Sequence, residues 1–253
     1  MAVPATSASA CPSVDRGQDT AAIILAGGRA RRLAGALPAT GGKAACLVKG
    51  RPLLSCVFAA VAPVVDHVFT VGGDLPPAVS RELPGLIHVP DRQPGAGPLA
   101  GLRDGLIAIH QRCQEAGHSL PACVLLVACD LPWLSAEMLH GLRGRLPENR
   151  LATEWVIPVV LDHPQFLCSV LRPTLLDSLQ AFLATGKRDL RSFATGLAQT
   201  DPYRVVMIPA TVWQQSDPTG AAAADIDTPA DLEQAQRIAF PAGSGSPYTR
   251  PRE

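Results

Sequence analysis

Ala122-Cys123-Val124-Leu125-Leu126-Val127-Ala128, running straight into Cys129-Asp130-Leu131-Pro132, is the stretch that decides the fold. A short, uninterrupted apolar run bounded by a turn signal reads as a strand covered on both faces; a strand with one wet face would alternate. Similar short runs recur on either side of it. Ala21–Leu25, His67–Val71, Leu86–Pro90, Glu154–Val160 and Arg204–Ile208 all read as strands. Between them lie helical patterns at Pro52–Val65, Pro98–Gln114, Met138–Leu146 (with Ser135 as N-cap), Pro173–Ala184 and Asp189–Leu197. Buried strands alternating with helices give a three-layer α/β domain around a mostly parallel sheet, and such sheets bind ligands at the carboxyl ends of their strands.

The chain has 253 residues, enough for one large domain with a self-sufficient core. The expected boundaries are an Ala/Ser/Pro-rich tail over 1–19, the domain over 20–240 and a Gly/Ser/Pro-rich tail over 241–253, both tails being disordered by composition. Twenty-two basic side chains balance twenty-two acidic ones, which gives no support for a nucleic-acid or membrane-surface partner. No apolar run reaches the roughly 18 residues that span a bilayer. The first residues also lack the charged and apolar regions of a signal peptide. Seven cysteines with no CxxC pair read as small core residues of a reducing compartment, so a cytoplasmic location is expected.

The residues that carry chemistry follow the strands. Leu25-Ala26-Gly27-Gly28-Arg29-Ala30-Arg31-Arg32 is a strand end, two glycines and three arginines. Glycines let backbone N–H groups approach a ligand, and arginines suit phosphate oxygens. A bare Gly-Gly would be an ordinary turn; the arginines make a phosphate site its equal as a reading. The stretch is neither a Walker A loop nor G-x-G-x-x-G. Lys43, after Gly41-Gly42, could serve a triphosphate as a mobile point charge, though alone it reads as a surface lysine. Asp91 ends a strand and enters the Gly/Pro loop Arg92–Gly97, which opens a helix at Pro98 carrying Gly101. Asp130 is a carboxylate at the end of the buried strand, suited to Mg²⁺ or to a plain turn. In Ala224-Asp225-Ile226-Asp227-Thr228-Pro229-Ala230-Asp231, Thr228, Pro229 and Asp231 have the spacing of a capped helix start. Asp225 and Asp227 would share one side of an extended segment just before it.

In this order, LAGGRARRL, Lys43, PDRQPGAGPLAGL, VACDLPWL and DIDTPADL resemble the Rossmann-like nucleotidyltransferases, and among them most closely the molybdenum cofactor guanylyltransferases. The resemblance spans about Ala21 to Phe240. It implies a Mg²⁺-dependent transfer of GMP from GTP to a molybdopterin-type cofactor, with release of pyrophosphate. It implies that Leu25, Ala26 and Gly27 contact the nucleoside, that Gly28, Arg29 and Arg31 lie beside the phosphates, and that Asp91 and Gly101 line the nucleotide site. Lys43, Arg31 and Asp130 would serve catalysis, and Asp130 and Asp227 would hold the metal. His163-Pro164 resembles a short stretch near the pterin. The resemblance also implies transient contact with the molybdenum cofactor enzymes or insertion proteins that receive the product. The chain departs from its relatives in an extra segment, Ala36 to Gly41, and in Gly42, where relatives carry an acid. Two alternatives stay open: a CTP- or sugar-phosphate-dependent transferase of the same fold, and a non-catalytic nucleotide-binding protein descended from it. The glycine spacing disfavours a nicotinamide dehydrogenase.

Overall fold

The computed structural model describes residues 19–27, 33, 37–38, 40–73, 75–148, 152–215, 217 and 220–240. Gly28, Arg29, Arg31, Arg32, the C-terminal tail and all of the N-terminal tail but Asp19 lie outside the described residues. The chain order is β1 (Thr20–Leu25), the short hairpin β2 (Leu47–Val48) and β3 (Arg51–Pro52), α1 (Leu53–Val61), β4 (His67–Val71), α2 (Pro77–Arg81), β5 (Leu86–Val89) and α3 (Pro98–Ala116). It continues with β6 (Cys123–Ala128), α4 (Ala136–Arg143), β7 (Trp155–Val160), β8 (His163–Pro164), β9 (Cys168–Leu171), α5 (Leu176–Ala184), α6 (Leu190–Thr200), β10 (Val205–Ile208), α7 (Ala210–Trp213) and α8 (Pro229–Ala235).

The central sheet has the order β10-β7-β9-β6-β1-β4-β5, with β8 pairing to β7. Strands β6, β1, β4 and β5 run parallel, with Leu25 beside both Val71 and Ala128. Strand β9 runs antiparallel to β6 and β7, and β10 is parallel to β7. The chain reverses direction across the sheet at β1: β4 lies on one side of it and β6 on the other. That is the switch point at which an open α/β sheet leaves a crevice.

Each apolar strand sends alternate side chains to opposite faces. On one face Ala22, Ile24, Leu125 and Val127 pack with Leu54, Val57 and Phe58 of α1 and Met138, Leu139 and Leu142 of α4. On the other, Ile23, Leu25, Val124 and Leu126 pack with Leu99, Leu102 and Leu106 of α3, Leu179 of α5 and Phe193 of α6. A third, smaller cluster of Leu33, Cys46, Val48, Leu53, Trp133, Ile226 and Ala235 seats the hairpin and α8 beside the sheet.

The structure shortens several expected helices for local reasons. The helix expected over Pro52–Val65 stops at Val61, because Pro63 has no N–H to continue it. The one expected over Met138–Leu146 starts earlier and ends before Gly144. Ser135 caps it, its hydroxyl accepting from the Met138 N–H at 3.2 Å. The expected helix from Pro173 opens as a 3-10 turn, Pro173–Leu175, before α5. Strand β9 was not anticipated. Its Ser169 breaks the apolar run, yet is fully buried because its hydroxyl accepts from Trp155 Nε1 at 2.9 Å.

Candidate active site

A cleft of about 380 Å³ opens at the carboxyl ends of β1, β4 and β6. Its floor is Leu25, Val71 and Ala128, the last residues of the three strands. The strand ends are tied just past the sheet: the N–H of Ala26 donates to the Val71 carbonyl (2.9 Å), that of Gly72 to Val89 (3.1 Å) and that of Cys129 to Leu25 (3.0 Å). One wall is Gly27, Gly72 and Asp91, with Gly97, Pro98 and Gly101 from the start of α3. Gly72 has φ +79°, and a Cβ there would sit 3.0 Å from the Cα of Gly27. Only glycine satisfies both the left-handed backbone and the close approach of the two chains. This leaves bare backbone facing the cleft, with Asp91 beside it.

The far end is charged. Lys43 sits in a 3-10 turn, Gly42–Ala45, preceded by Gly41 at φ +85°. A Cβ on Gly41 would meet the Pro76 ring at 2.5 Å, so the glycine pair before the lysine is a backbone requirement of this turn. The Lys43 ammonium donates to Asp130 Oδ2 and to Asp227 Oδ1, both at 2.5 Å. Burial alone would lower the Lys43 pKa. The charge and hydrogen bond of Asp130, then those of Asp227, outweigh it and hold the lysine above its ordinary value. Asp225 is exposed, yet its pKa is raised, first by partial desolvation and then by Asp227 and Asp130. Two carboxylates thus clasp one ammonium, and Asp225 feels the charge of both.

Asp227 stands just before α8, where the spacing of Thr228, Pro229 and Asp231 puts it, and its segment is anchored by the Ile226 N–H donating to the Asp130 carbonyl at 3.2 Å. Ile226 is fully buried, and of the two acids on either side of it Asp227 lines the cleft while Asp225 is exposed. The expected capping box is present. Thr228 accepts from the Asp231 N–H (3.2 Å), and Asp231 Oδ2 accepts from the N–H groups of Thr228 (2.7 Å) and Asp227 (3.0 Å). Thr228→Ala is expected to destabilise the protein by about 1 kcal/mol, the usual cost of losing a cap. A thermal melt that does not move would show that the cap does not hold α8.

Cys129 also lines the cleft, but burial, and next the Asp130 charge, push its thiol far above the range of a useful nucleophile. Cys168, away from the cleft, is pushed up to about 12 by burial and by Asp217. Cys46, Cys56, Cys123, Cys129 and Cys168 are buried core residues, as their apolar surroundings in the sequence imply.

A phosphate-sized charged end, bare glycine backbone at strand ends and a carboxylate opposite suit a nucleotide laid across a switch point. Residues 22–202 match the MobA-like NTP transferase domain family. The chain belongs to this family. It is therefore a nucleotidyltransferase. Among its relatives, a probable molybdenum cofactor guanylyltransferase from Chloroflexus aggregans is 30% identical over 220 residues, covering 85% of this chain and 92% of that one. Among solved structures, molybdopterin-guanine dinucleotide biosynthesis protein A from Archaeoglobus fulgidus superimposes with a TM-score of 0.62 at 20% identity, over 86% of this chain and 97% of that one. The 4-diphosphocytidyl-2C-methyl-D-erythritol synthase of Anaerococcus prevotii gives 0.57 at 15% identity, over 87% and 96%. Both superpositions bear out the Rossmann-like three-layer fold.

The nucleotidyltransferase fold brings Leu25, Gly27, Lys43, Asp91, Gly101, Asp130 and Asp227 to one cleft. Ala26 lies at its edge, its carbonyl 3.0 Å from a Cβ built on Gly73. The expected roles of Gly28, Arg29 and Arg31 fall outside the described residues. His163 is exposed in the β7–β8 hairpin and is not among the residues lining the cleft. Leu167, just before β9, is, and its carbonyl accepts from the Ala128 N–H at 2.9 Å. No sequence signal marks Leu167, because the short strand it precedes, Cys168–Leu171, has no clear pattern of its own. Among the described residues no helix is long and apolar enough to cross a membrane.

Proposed function

We propose that this nucleotidyltransferase moves GMP from GTP to a molybdopterin-type acceptor and releases pyrophosphate. The observation that carries the reading is the convergence of Lys43, Asp130 and Asp227 at one end of a cleft whose other end is bare glycine backbone and Asp91. The relatives' activity, at about 30% identity over most of both chains, supports the choice of donor and acceptor. The nucleoside would lie against Leu25, Ala26, Gly27 and Gly72, beside Asp91 and Gly101. The triphosphate would run toward Lys43 and, with them, Arg29 and Arg31.

The donor set fits a hard divalent cation. Two carboxylate oxygens already converge on a point charge, the Lys43 ammonium. Such a pair suits Mg²⁺, which typically takes one or two carboxylates and completes its shell with water and substrate phosphate. Asp130 and Asp227 would hold it, and when bound it would neutralise phosphate charge. Lys43 would then turn from the carboxylates to the triphosphate and stabilise charge on the departing pyrophosphate.

In the transfer, an oxygen of the acceptor's terminal phosphate bonds to the α-phosphorus of GTP. The bond from that phosphorus to the bridging oxygen breaks, and pyrophosphate leaves with the electron pair. The chain's part is to bind, align and neutralise. A covalent step is not needed, and Cys129 is held too basic to offer one. The test is pyrophosphate release with Mg²⁺, molybdopterin and each of the four nucleoside triphosphates. Release with GTP alone is expected. Release with CTP instead would make this the cytidylyl enzyme of the same fold, and nucleotide binding without release would make it a binding protein.

A further inference from the structure

Asp104 is nearly fully buried on α3, between Leu102 and Leu106, which are also fully buried. An ionised carboxylate in such surroundings is costly unless every oxygen is satisfied. Here both are. Oδ1 accepts from Arg103 Nε (2.9 Å) and Nη2 (2.8 Å), and Oδ2 accepts from the backbone N–H of Arg92 (3.2 Å). Arg92 follows Asp91, whose Oδ1 accepts from the Gln93 N–H at 2.9 Å; the Ala96 N–H then closes a turn onto the Gln93 carbonyl at 3.0 Å. Asp91 Oδ2 stays on the cleft side, 3.6 Å from a Cβ built on Gly27 or on Gly72. Among the described residues, the bond from Arg92 to Asp104 is the one hydrogen bond that ties residues 91–96 to α3, the other bonds given for residues 92–96 being local ones, Gln93 to Asp91 and Ala96 to Gln93.

We infer that Asp104 is a positioning residue for the nucleoside end of the cleft: it holds the loop that aims Asp91, and so sets nucleotide affinity without touching the nucleotide. The inference rests on reading the cleft as the nucleotide site. The carboxylate serves the loop because its charge is balanced from the outer side by Arg103, leaving the second oxygen for Arg92.

The experiment measures GTP affinity by titration calorimetry with Mg²⁺, together with KM and kcat, for Asp104→Asn, Asp91→Ala, the double variant, and Glu154→Gln as a stability control. Glu154 pairs with Arg204 at 2.5 Å, away from the cleft. Asparagine keeps the shape but offers a donor where an acceptor is needed. Asp104→Asn is expected to weaken GTP binding roughly tenfold, from the loss of one hydrogen bond to a charged group. KM should rise with it, while kcat at saturation changes by less than about twofold. The double variant should bind no worse than Asp91→Ala alone, since both changes act through one carboxylate. Glu154→Gln should lower the melting temperature and leave affinity unchanged. Unchanged affinity in Asp104→Asn, or additive losses in the double variant, would overturn the inference. Should Asp104→Asn not fold, Arg103→Met, which keeps the carboxylate but unbalances it, is expected to show the same KM-only pattern more weakly, and unchanged KM there also overturns it. A wild-type protein that binds no nucleotide would remove the reading of the cleft itself, and this inference with it.

Discussion

Asp130→Asn is expected to reduce turnover by at least about a hundredfold while the protein stays folded. Preorganised charge aimed at a reacting phosphate is typically worth about 10²–10³ in kcat per group, and a carboxylate that positions a divalent cation belongs at or above that range. The fold should tolerate the change for local reasons. Asp130 is partly exposed at a strand end, asparagine has the same shape, and its side-chain oxygen can still accept from Lys43. Asp227 continues to balance the ammonium. Removing the Asp130 charge also relieves repulsion with Asp225 and Asp227. The loss of stability should stay below about 2 kcal/mol, between the values of exposed and buried pairs. Steady-state turnover and a thermal melt on the same preparation separate the two effects. Near-normal turnover would remove Asp130 from the metal site. A collapsed melt would show that its role is structural.

How much of this site could be read from the chain depends on how local each signal is. Strand β6 and Asp130 were legible together, because the apolar run and the acid that ends it are adjacent. The capped start of α8 was legible from Thr228, Pro229 and Asp231 within four residues. The partnership of Lys43 with Asp227 was not, since it joins positions 184 residues apart through a turn set by Gly41 and Gly42. The glycines that make the sequence look irregular before Lys43 are those the backbone needs there. Leu167 was hidden for a different reason. The strand it precedes is interrupted by Ser169, and only the Trp155 partner on a neighbouring strand makes that serine a buried residue. Asp104 was hidden because an acid next to an arginine on an amphipathic helix looks like a solvated face until the loop folds over it.

Lys43→Met is expected to have two opposite effects. Turnover should fall by roughly a hundredfold or more, because the variant loses the positive charge assigned to the triphosphate. Affinity for a free divalent ion, measured with Mn²⁺ in the absence of nucleotide, should rise. The ammonium already occupies the point on which Asp130 and Asp227 converge. A cation arriving alone must displace it from both carboxylates and also lose part of its own hydration. Methionine keeps the length of the side chain and removes the competitor, leaving Asp130 and Asp227 with no internal cation between them. Each displaced pair is partly solvated and worth about 1 kcal/mol or less, so the gain should be roughly tenfold rather than thousandfold. The same argument gives an order of events in the wild type. Metal held to a triphosphate brings its own anion for Lys43 to turn to, so nucleotide and metal should enter together, whereas metal alone meets a site already filled. Paramagnetic titration of Mn²⁺ into wild type and variant tests this directly. Equal or weaker Mn²⁺ binding in Lys43→Met would mean that the lysine does not guard the carboxylates, even if turnover is lost.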